Sequence, residues 1–348
     1  WNFRPLLLFS VLLMVPRAEM CPRNTPPVPT KPPRYTLPTR YINVHFLSDA
    51  SHCRLFKNRG EQRLYMTVMA NGVRATFSGL PEDWGLGLRL VGISCMNVTN
   101  QRKVYETSVI DNMLDGNSAL WGLKGFLMKR QHRFVNASVV VVFTGYKFQD
   151  ISKTAYSLFA GLCSRDNVAL ISDADAMYRT VEEVSQHILR MIGASFQEDA
   201  ELWMCADPKK DSPPKCDFTR VEELLSNVQQ DCFQPKGIEV PQVTSLPGDV
   251  VNLEELCERM YPHIWDIRYC YEGEITGTHR FHPVYECKFT CCEWMSPVER
   301  KHYQTRSIQG LRCSKYNQFC VNSVCYDREP WIKEWLPNGS LDIRPDVP

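Results

Sequence analysis

The segment Thr180–Phe196, TVEEVSQHILRMIGASF, brings a histidine, two glutamates, a glutamine and an arginine together on one predicted helix. Histidines and glutamates one turn apart on a helix can bind a metal ion and activate water. Thr180 with Glu183 three residues later predicts a capping box and therefore a helix start. Gly193 predicts the helix end. Five apolar residues at helical spacing predict one buried face: Val181, Val184, Ile188, Met191 and Ile192.

The chemical pattern that this helix approaches is the zinc-protease motif H-E-x-x-H-x-x-G-x-x-H. When the segment is aligned on Gly193, Gln186 and Arg190 stand at the two helical histidines, His187 at the glutamate and Phe196 at the third histidine. An amide is a poor zinc ligand, a guanidinium stays charged and a phenyl ring has no donor atom. With His187 taken as the first ligand, Met191 replaces the second. We therefore expect a protease scaffold without its metal, and no catalytic residue.

Two alternatives concern the charges of this helix. His187 could still contact a metal with Glu198 or Asp199, although a lone helical histidine is more often a hydrogen-bonded residue. Arg190 could lie where the zinc would be and pair with one of these two acids as a structural tie, or a rotated helix could expose it.

The remaining candidates have simpler interpretations. Glu182 and Glu183 are interpreted as first-turn charges that favour the helix dipole, and not as an acid–base pair. His279 and His282 could clip a metal, but a polar surface loop is the simpler explanation. The sequence contains no G-x-S-x-G elbow and so no positive signal for a serine hydrolase.

The composition is that of an ordinary globular protein of 348 residues with a formal net charge of +1, which argues against nucleic-acid binding. Fifteen cysteines are present, an odd number, so one is unpaired or intermolecular. Their density predicts a disulfide framework made in an oxidising compartment, with a zinc-binding array as the alternative. The last quarter contains Cys257, Cys270, Cys287, Cys291, Cys292, Cys313, Cys320 and Cys325.

The N-terminal sequence predicts secretion. Leu6–Val15 is apolar, too short to span a bilayer, and followed by Ala18 near a possible cleavage point. The chain begins with Trp1 and not with Met, so it can be a fragment. Three N-x-S/T sequons add an expectation of an extracellular glycoprotein: Asn97, Asn136 and Asn338. We predict no membrane span.

Strand-like and helix-like segments alternate along the chain and predict an α/β fold with a mostly parallel sheet. The strand candidates are 41–47, 88–93, 138–145 and 167–172, with Val139–Phe143 as a central strand. The helix candidates besides Thr180–Phe196 are 61–77, 118–130 and 219–229. The predicted organisation is a signal peptide (1–18), a proline-rich lead-in (19–38), an α/β domain (39–235), a linker (236–250), a cysteine-rich domain (251–330) and a tail (331–348).

This series of segments resembles a family, the reprolysin (adamalysin-like) branch of the metzincin metalloproteases, and within it the salivary metalloproteases of ticks. The resemblance runs from about Tyr41 to Tyr326. It is carried by INVHFLSDASHCRLF, LRLVGI, SVVVVFTGYKF, AGLCSRDNVALISD and LWMCA, and in the cysteine-rich part by LPGDVVNLEELC, ECKFTCC and GLRCSKYNQFCVNSVC. It implies a metzincin-type sandwich followed by a small disulfide-rich domain. It also implies that Met204 is the Met-turn residue and Gly193 the motif remnant.

Two functions from different classes follow from the resemblance. The first is a secreted pseudoprotease without a cofactor, which binds extracellular or matrix proteins, including host haemostatic proteins. Its cysteine-rich domain would take part, together with the sheet edge that the family uses for substrate, here near Thr154–Gly161. The alternative is an active zinc endopeptidase that cleaves such proteins. A decayed paralogue without a binding function is a third possibility. The short lead-in, where active relatives carry a large pro-domain, fits a scaffold that needs no latency.

Overall fold

The computed structural model describes residues 38–196, 216–227, 230–241, 243–270, 287–295, 300–313 and 318–329. The predicted signal peptide, nearly all of the proline-rich lead-in and the tail lie outside these residues. The same holds for Glu198, Asp199, Met204, His279, His282 and Asn338.

Eight helices and fifteen strands are formed by the described residues. The helices are α1 Ala50–Cys53, α2 Arg59–Phe77, α3 Val98–Tyr105, α4 Gly116–Met128, α5 Val181–Ile192, α6 Thr219–Asn227, α7 Pro247–Val250 and α8 Leu253–Met260. The strands are β1 Arg40–Ser48, β2 Leu86–Cys95, β3 Val109–Ile110, β4 Met113–Leu114, β5 Val139–Thr144, β6 Lys147–Phe148, β7 Ala155–Ser157, β8 Val168–Ser172, β9 Ser195–Phe196, β10 Cys216–Asp217, β11 Ile267–Tyr269, β12 Lys288–Trp294, β13 Arg300–Arg306, β14 Gln318–Val321 and β15 Val324–Asp327.

The central sheet has five strands in the order β2-β1-β5-β8-β7. The pairs β1–β2, β1–β5 and β5–β8 are parallel, while β7 pairs antiparallel with β8, with Tyr156 opposite Leu170. The run of β-branched residues in β5 suits a strand covered on both faces, and all six of its residues are buried. The predicted mixed, mostly parallel sheet and its central strand are confirmed.

Helices cover both faces of this sheet. On one face α2 and α5 pack against side chains such as Phe46, Val141 and Ile171. On the other face α4 contributes Leu120 and Leu123 to a second apolar cluster with alternate strand residues. Because each fully buried aliphatic side chain stabilises a fold by about 1.5–3 kcal/mol, the apolar layer that α5 shares with α2 holds α5 firmly on the sheet.

The segment predicted to be a linker, 236–250, lies against α2. Asn71 donates to the carbonyl oxygens of Val243 (2.6 Å) and Ser245 (2.9 Å), and Arg74 Nη2 lies 2.8 Å from Glu239 Oε1. The end of α2 is also tied to the C-terminal strands. There Asn322 donates to the carbonyls of Ala75 (3.3 Å) and Thr76 (3.1 Å). The C-terminal strands are thereby held beside the helices that cover the sheet.

Every cysteine that the structure describes is disulfide-bonded. Two bonds lie in the first part of the chain, Cys53–Cys95 and Cys163–Cys232. Four others join the cysteines of the last quarter: Cys257–Cys291, Cys270–Cys292, Cys287–Cys320 and Cys313–Cys325. Sulfur atoms of Cys287, Cys313 and Cys320 lie within 4.8 Å of one another, but each is held in a disulfide and is not a free thiolate. The disulfide prediction is confirmed.

Each helix formed by the described residues is too short or too polar to cross a bilayer.

Candidate functional site: helix α5, the edge strand and the adjoining cleft

Helix α5 begins and ends where the sequence predicts. All five residues of the predicted apolar face are buried in the core under the sheet. Gly193 adopts φ +107° at the C-terminal end, a left-handed conformation that glycine takes without strain, and its N–H donates to the Arg190 carbonyl.

The predicted capping box is wrong. Thr180 makes no side-chain hydrogen bond to the first turn, and its Oγ1 is buried without a partner among the described residues. The physical reason is its backbone, with ψ 9° in place of the extended conformation that turns an N-cap side chain over the helix end.

The three residues that align with the histidines of the zinc-protease motif have separate surroundings. Gln186 is half-buried and donates to Glu182 Oε1 at 3.4 Å, while Arg190 is exposed. The tie between Arg190 and Glu198 or Asp199 stays a prediction, because both acids lie outside the described residues. Phe196 pairs with Cys216 across β9 and β10, and its ring lies 6.1 Å from that of Phe218. An amide, an exposed guanidinium and a packed phenyl ring do not fit zinc.

His187, at the family's general-base position, faces the edge strand. Its Nδ1 lies 2.7 Å from Ser157 Oγ in β7. Burial, and then the nearby charge of Arg190, lower the pKa of His187 to about 4. The ring is therefore neutral at physiological pH and is engaged in holding α5 to β7.

Strand β7 forms an edge of the central sheet, at the place where the sequence predicts a binding edge. Its one neighbour among the described strands is β8. Ser172 donates to the Thr154 carbonyl at 2.9 Å, so Thr154 points its backbone groups at β8. Because backbone groups alternate in direction along a strand, the N–H and C=O groups of Ala155 and Ser157 point away from β8. A strand added at this edge would pair with these groups.

A cleft of about 550 Å³ lies beside the N-terminal half of α5. Its walls come from α5 and the residues before it on one side and from the disulfide-rich part on the other. The first side includes Thr154, Tyr178, Arg179, Glu182, Glu183 and Gln186, and the second includes Leu256, Met260, Phe289, Ile308, Gln309 and Asn322. Thr154 belongs both to this cleft and to the start of the edge strand, so the two features adjoin.

Glu183 is the perturbed acid of this cleft. Its Oε1 accepts from Thr154 Oγ1 at 3.4 Å, and its Oε2 is buried with no hydrogen-bond partner among the described residues. Burial is the main cause that raises the pKa of Glu183 to about 7, and the charge of Glu182 adds to it. Glu183 lies in the first turn of α5, as the sequence predicts. The sequence does not predict its burial, because no local pattern reports that the disulfide-rich part lines the same cleft.

Two of the predicted glycosylation sites lie on the surface. Asn97 is exposed and caps α3, with its Oδ1 accepting from Asn100 N at 2.8 Å. Asn136 is exposed in the loop before β5. Both side chains are accessible for glycosylation. Their glycosylation itself stays a prediction.

Comparison with solved structures gives distant matches. No protein-family profile and no curated protein matches the chain. A structure described as a chaperone–substrate complex aligns with TM-score 0.36 and 10% identity over 47% of this chain and 28% of its own. Metalloproteinase-II from Bacteroides fragilis aligns with TM-score 0.33 and 11% identity over 51% of this chain and 50% of its own. A metalloproteinase is thus a distant structural neighbour, and the chain covers half or less of the length of either match.

Proposed function

We propose that this protein is a secreted, zinc-free relative of the reprolysin metalloproteases that binds extended segments of extracellular proteins along the edge strand β7. The observation that carries the proposal is the position of β7. Its outer N–H and C=O groups point away from β8, and it lies directly beside α5, the helix that would carry zinc in an active relative. The tick salivary assignment, and host haemostatic or matrix proteins as the partners, belong to this proposal.

The topology of the sheet supports the proposal. The resemblance implies a mostly parallel sheet whose free edge lies next to the active-site helix. The sheet has three parallel pairings, an antiparallel edge strand at the expected segment, and α5 packed against that strand through His187 and Ser157. A metzincin-type sandwich has these properties.

The chemistry of α5 favours binding over cleavage. Hydrolysis by such a helix needs three metal ligands and a base that accepts a proton from water. Gln186, Arg190 and Phe196 do not supply the ligands. His187 is neutral, but its Nδ1 is engaged with Ser157. Binding by strand addition needs only main-chain groups, so it survives the loss of the metal site.

The disulfides support secretion. Bonds such as Cys53–Cys95 and Cys163–Cys232 persist in oxidising compartments and are rare in the cytosol. Together with the predicted signal peptide and sequons, they favour an extracellular protein whose disulfide-rich part widens the binding surface beside β7.

The first experiment measures metal content and proteolysis on the secreted protein. We expect no stoichiometric zinc by elemental mass spectrometry after dialysis against trace zinc, and no cleavage of gelatin or fibrinogen with or without a chelator. One zinc per chain together with chelator-sensitive cleavage would establish the active endopeptidase instead.

The second experiment tests the edge itself with fluorescein-labelled, β-prone peptides and fluorescence anisotropy. Ser157→Pro removes an outward N–H of β7, whereas Ser157→Ala keeps it and removes only the hydroxyl. We expect Ser157→Pro to abolish binding and Ser157→Ala to retain it, with circular dichroism confirming that both fold. Peptides with N-methyl groups on alternate residues test the edge without mutation. In one of the two patterns the methyl groups face β7 and should block pairing. In the other pattern they face away from β7 and should leave pairing intact.

A further inference from the structure

A group of basic side chains lies at the C-terminal end of α4, the helix that covers the face of the sheet opposite α5. Residues 128–133 read MKRQHR, and the neighbouring helix α3 adds two more cations. We call these side chains the α4 basic cluster: Arg102, Lys103, Lys129, Arg130 and Arg133. Glu106 is the one acid within a helical turn of them along the sequence, and Asp166, which contacts α4, is paired with Lys124. The formal net charge of +1 for the whole chain therefore conceals a local excess of positive charge.

The fold holds the cluster together across two helices and a turn. Arg130 Nη2 donates to Asn100 Oδ1 of α3 at 3.2 Å. Lys103 follows Asn100 by three residues and so lies on the same side of α3. Arg133 N donates to the Arg130 carbonyl oxygen at 2.9 Å, and Phe134 then packs against the core beneath α4. The turn that carries Arg133 is thereby anchored beside Arg130.

Arg130 is held in place by neutral groups. Its guanidinium carbon lies 4.1 Å from the centre of the Phe126 ring, and its hydrogen-bond acceptor is the amide of Asn100. Within the described part of the chain, none of the five cations forms an ion pair. Arg130 is half-buried and the other four are exposed. A guanidinium fixed in this way keeps donors for an oxyanion, which it binds with two parallel hydrogen bonds.

The helix dipoles account for only part of this charge. α3 and α4 both end near cations of the cluster, and a helix C-terminus carries roughly half a negative charge. Two such ends together with Glu106 offset fewer than half of the five positive charges. Stabilisation of the helix ends therefore leaves a basic surface that suits an anionic partner.

The form of the cluster favours a chain with repeated anionic groups. Its cations are spread over two helix ends and a turn, and short runs rich in lysine and arginine are typical of polyanion-binding surfaces. Single-stranded nucleic acid needs open aromatic faces for its bases, but Arg130 lies over Phe126, and Lys124 Nζ lies 4.8 Å from the centre of the Trp121 ring. A bilayer surface needs an apolar helix face, but that of α4 packs on the sheet through side chains such as Leu123.

We propose that the α4 basic cluster binds sulfated polysaccharide chains, with Lys129, Arg130 and Arg133 contacting their sulfate groups. The choice of a sulfated chain rests on the secretion part of the proposed function, which the disulfides support. The binding itself is separate from that function, because the cluster and the edge strand with its adjoining helix α5 lie on different parts of the molecule. Peptide binding at β7 and polysaccharide binding at α4 can therefore fail independently.

The test measures binding of the secreted protein to immobilised heparin by surface plasmon resonance at about 0.15 M salt. Lys129→Gln with Arg133→Gln removes two exposed cations, and we expect the affinity to fall about tenfold. Arg220→Gln with Lys301→Gln removes the same charge from exposed positions on α6 and β13 and should keep the affinity within about twofold of wild type. Circular dichroism checks that both variants fold.

A second variant tests the part assigned to Arg130. Arg130→Lys keeps the positive charge and loses the planar fork, so we expect weaker binding of heparin than by wild type. Raising the salt concentration should weaken the binding of wild type more steeply than that of Lys129→Gln with Arg133→Gln, because fewer ions are released when fewer cations take part.

The comparison of ligands decides the class of partner. The proposal requires heparin to bind more tightly than desulfated heparin, DNA, or vesicles of phosphatidylcholine and phosphatidylserine. Equal or tighter binding of DNA or of the vesicles would overturn the assignment to a sulfated chain. No heparin binding by wild type, or equal affinities of wild type and of Lys129→Gln with Arg133→Gln, would refute the site.

Discussion

Ser157 and His187 join the edge strand β7 to helix α5, with 2.7 Å between Ser157 Oγ and His187 Nδ1. This hydrogen bond links the helix whose sequence approaches a zinc-protease motif to the edge strand. It lies beside the surface that we propose binds extended segments.

Loss of this hydrogen bond should destabilise the protein slightly. Ser157→Ala leaves His187 Nδ1 without its partner in a largely buried position, so we expect the free energy of unfolding to fall by about 1 kcal/mol. Urea denaturation measures the change. Ser226→Ala, which removes an exposed hydroxyl of α6, is the matched control and should leave stability within about 0.5 kcal/mol of wild type. An equal loss in both variants would show that the Ser157–His187 contact contributes nothing specific.

Glu183 should make the protein less stable at alkaline pH. Its pKa is raised from 4.5 to about 7 in the folded protein, so the unfolded chain loses this proton first as the pH rises. Stability falls between pH 4.5 and 7 and stays reduced above that range. Glu183→Gln removes the penalty, and we expect it to be more stable than wild type at pH 8 by on the order of 1–2 kcal/mol. Denaturant titrations at pH 5 and pH 8 measure this difference, which should be clearly smaller at the lower pH.

His187 has the opposite effect. Its pKa falls from 6.5 to about 4 on folding, so the unfolded chain binds the proton more readily as the pH drops. Stability is lost as the pH falls from 6.5 to 4. His187→Asn should therefore be relatively more stable than wild type at pH 4.5 than at pH 7.5, by on the order of 1–2 kcal/mol because the ring is not fully buried. A pH-independent difference between the two proteins would contradict the lowered pKa.

The sequence predicts the elements of this site better than their environments. The apolar spacing from Val181 to Ile192 and the glycine at its end predict α5 well, because both are local properties of one helix. The conformation of Thr180 and the burial of Glu183 depend on tertiary packing. Phe289 and Ile308, which line the cleft opposite Glu183, come from distant parts of the chain, and no helical period reports their approach.

A buried histidine–aspartate contact at the end of β8 should be a sensitive polar contact of the fold. His52 Nε2 lies 3.0 Å from Asp173 Oδ2, both side chains are fully buried, and Tyr65 donates to the same oxygen at 2.7 Å. Asp173→Asn weakens both contacts of these fully buried side chains, so we expect a loss of about 3 kcal/mol. Tyr65→Phe removes one hydrogen bond and should cost about 1 kcal/mol. Chemical denaturation ranks the variants, and Glu223→Gln serves as the exposed carboxylate control. A smaller loss for Asp173→Asn than for Tyr65→Phe would contradict this order.

Placing two histidines on α5 should create a zinc site. Gln186 and Arg190 are one turn apart on the accessible side of the helix, so the double variant Gln186→His with Arg190→His presents two imidazoles to one metal. We expect it to bind zinc in isothermal titration calorimetry and to gain thermal stability when zinc is added, whereas Gln186→His alone does neither. Binding should remain weaker than in a protease, because Phe196 supplies no third ligand. If the double variant binds zinc no better than the single one, α5 does not present these two positions together, and the comparison with a metal-bearing helix fails.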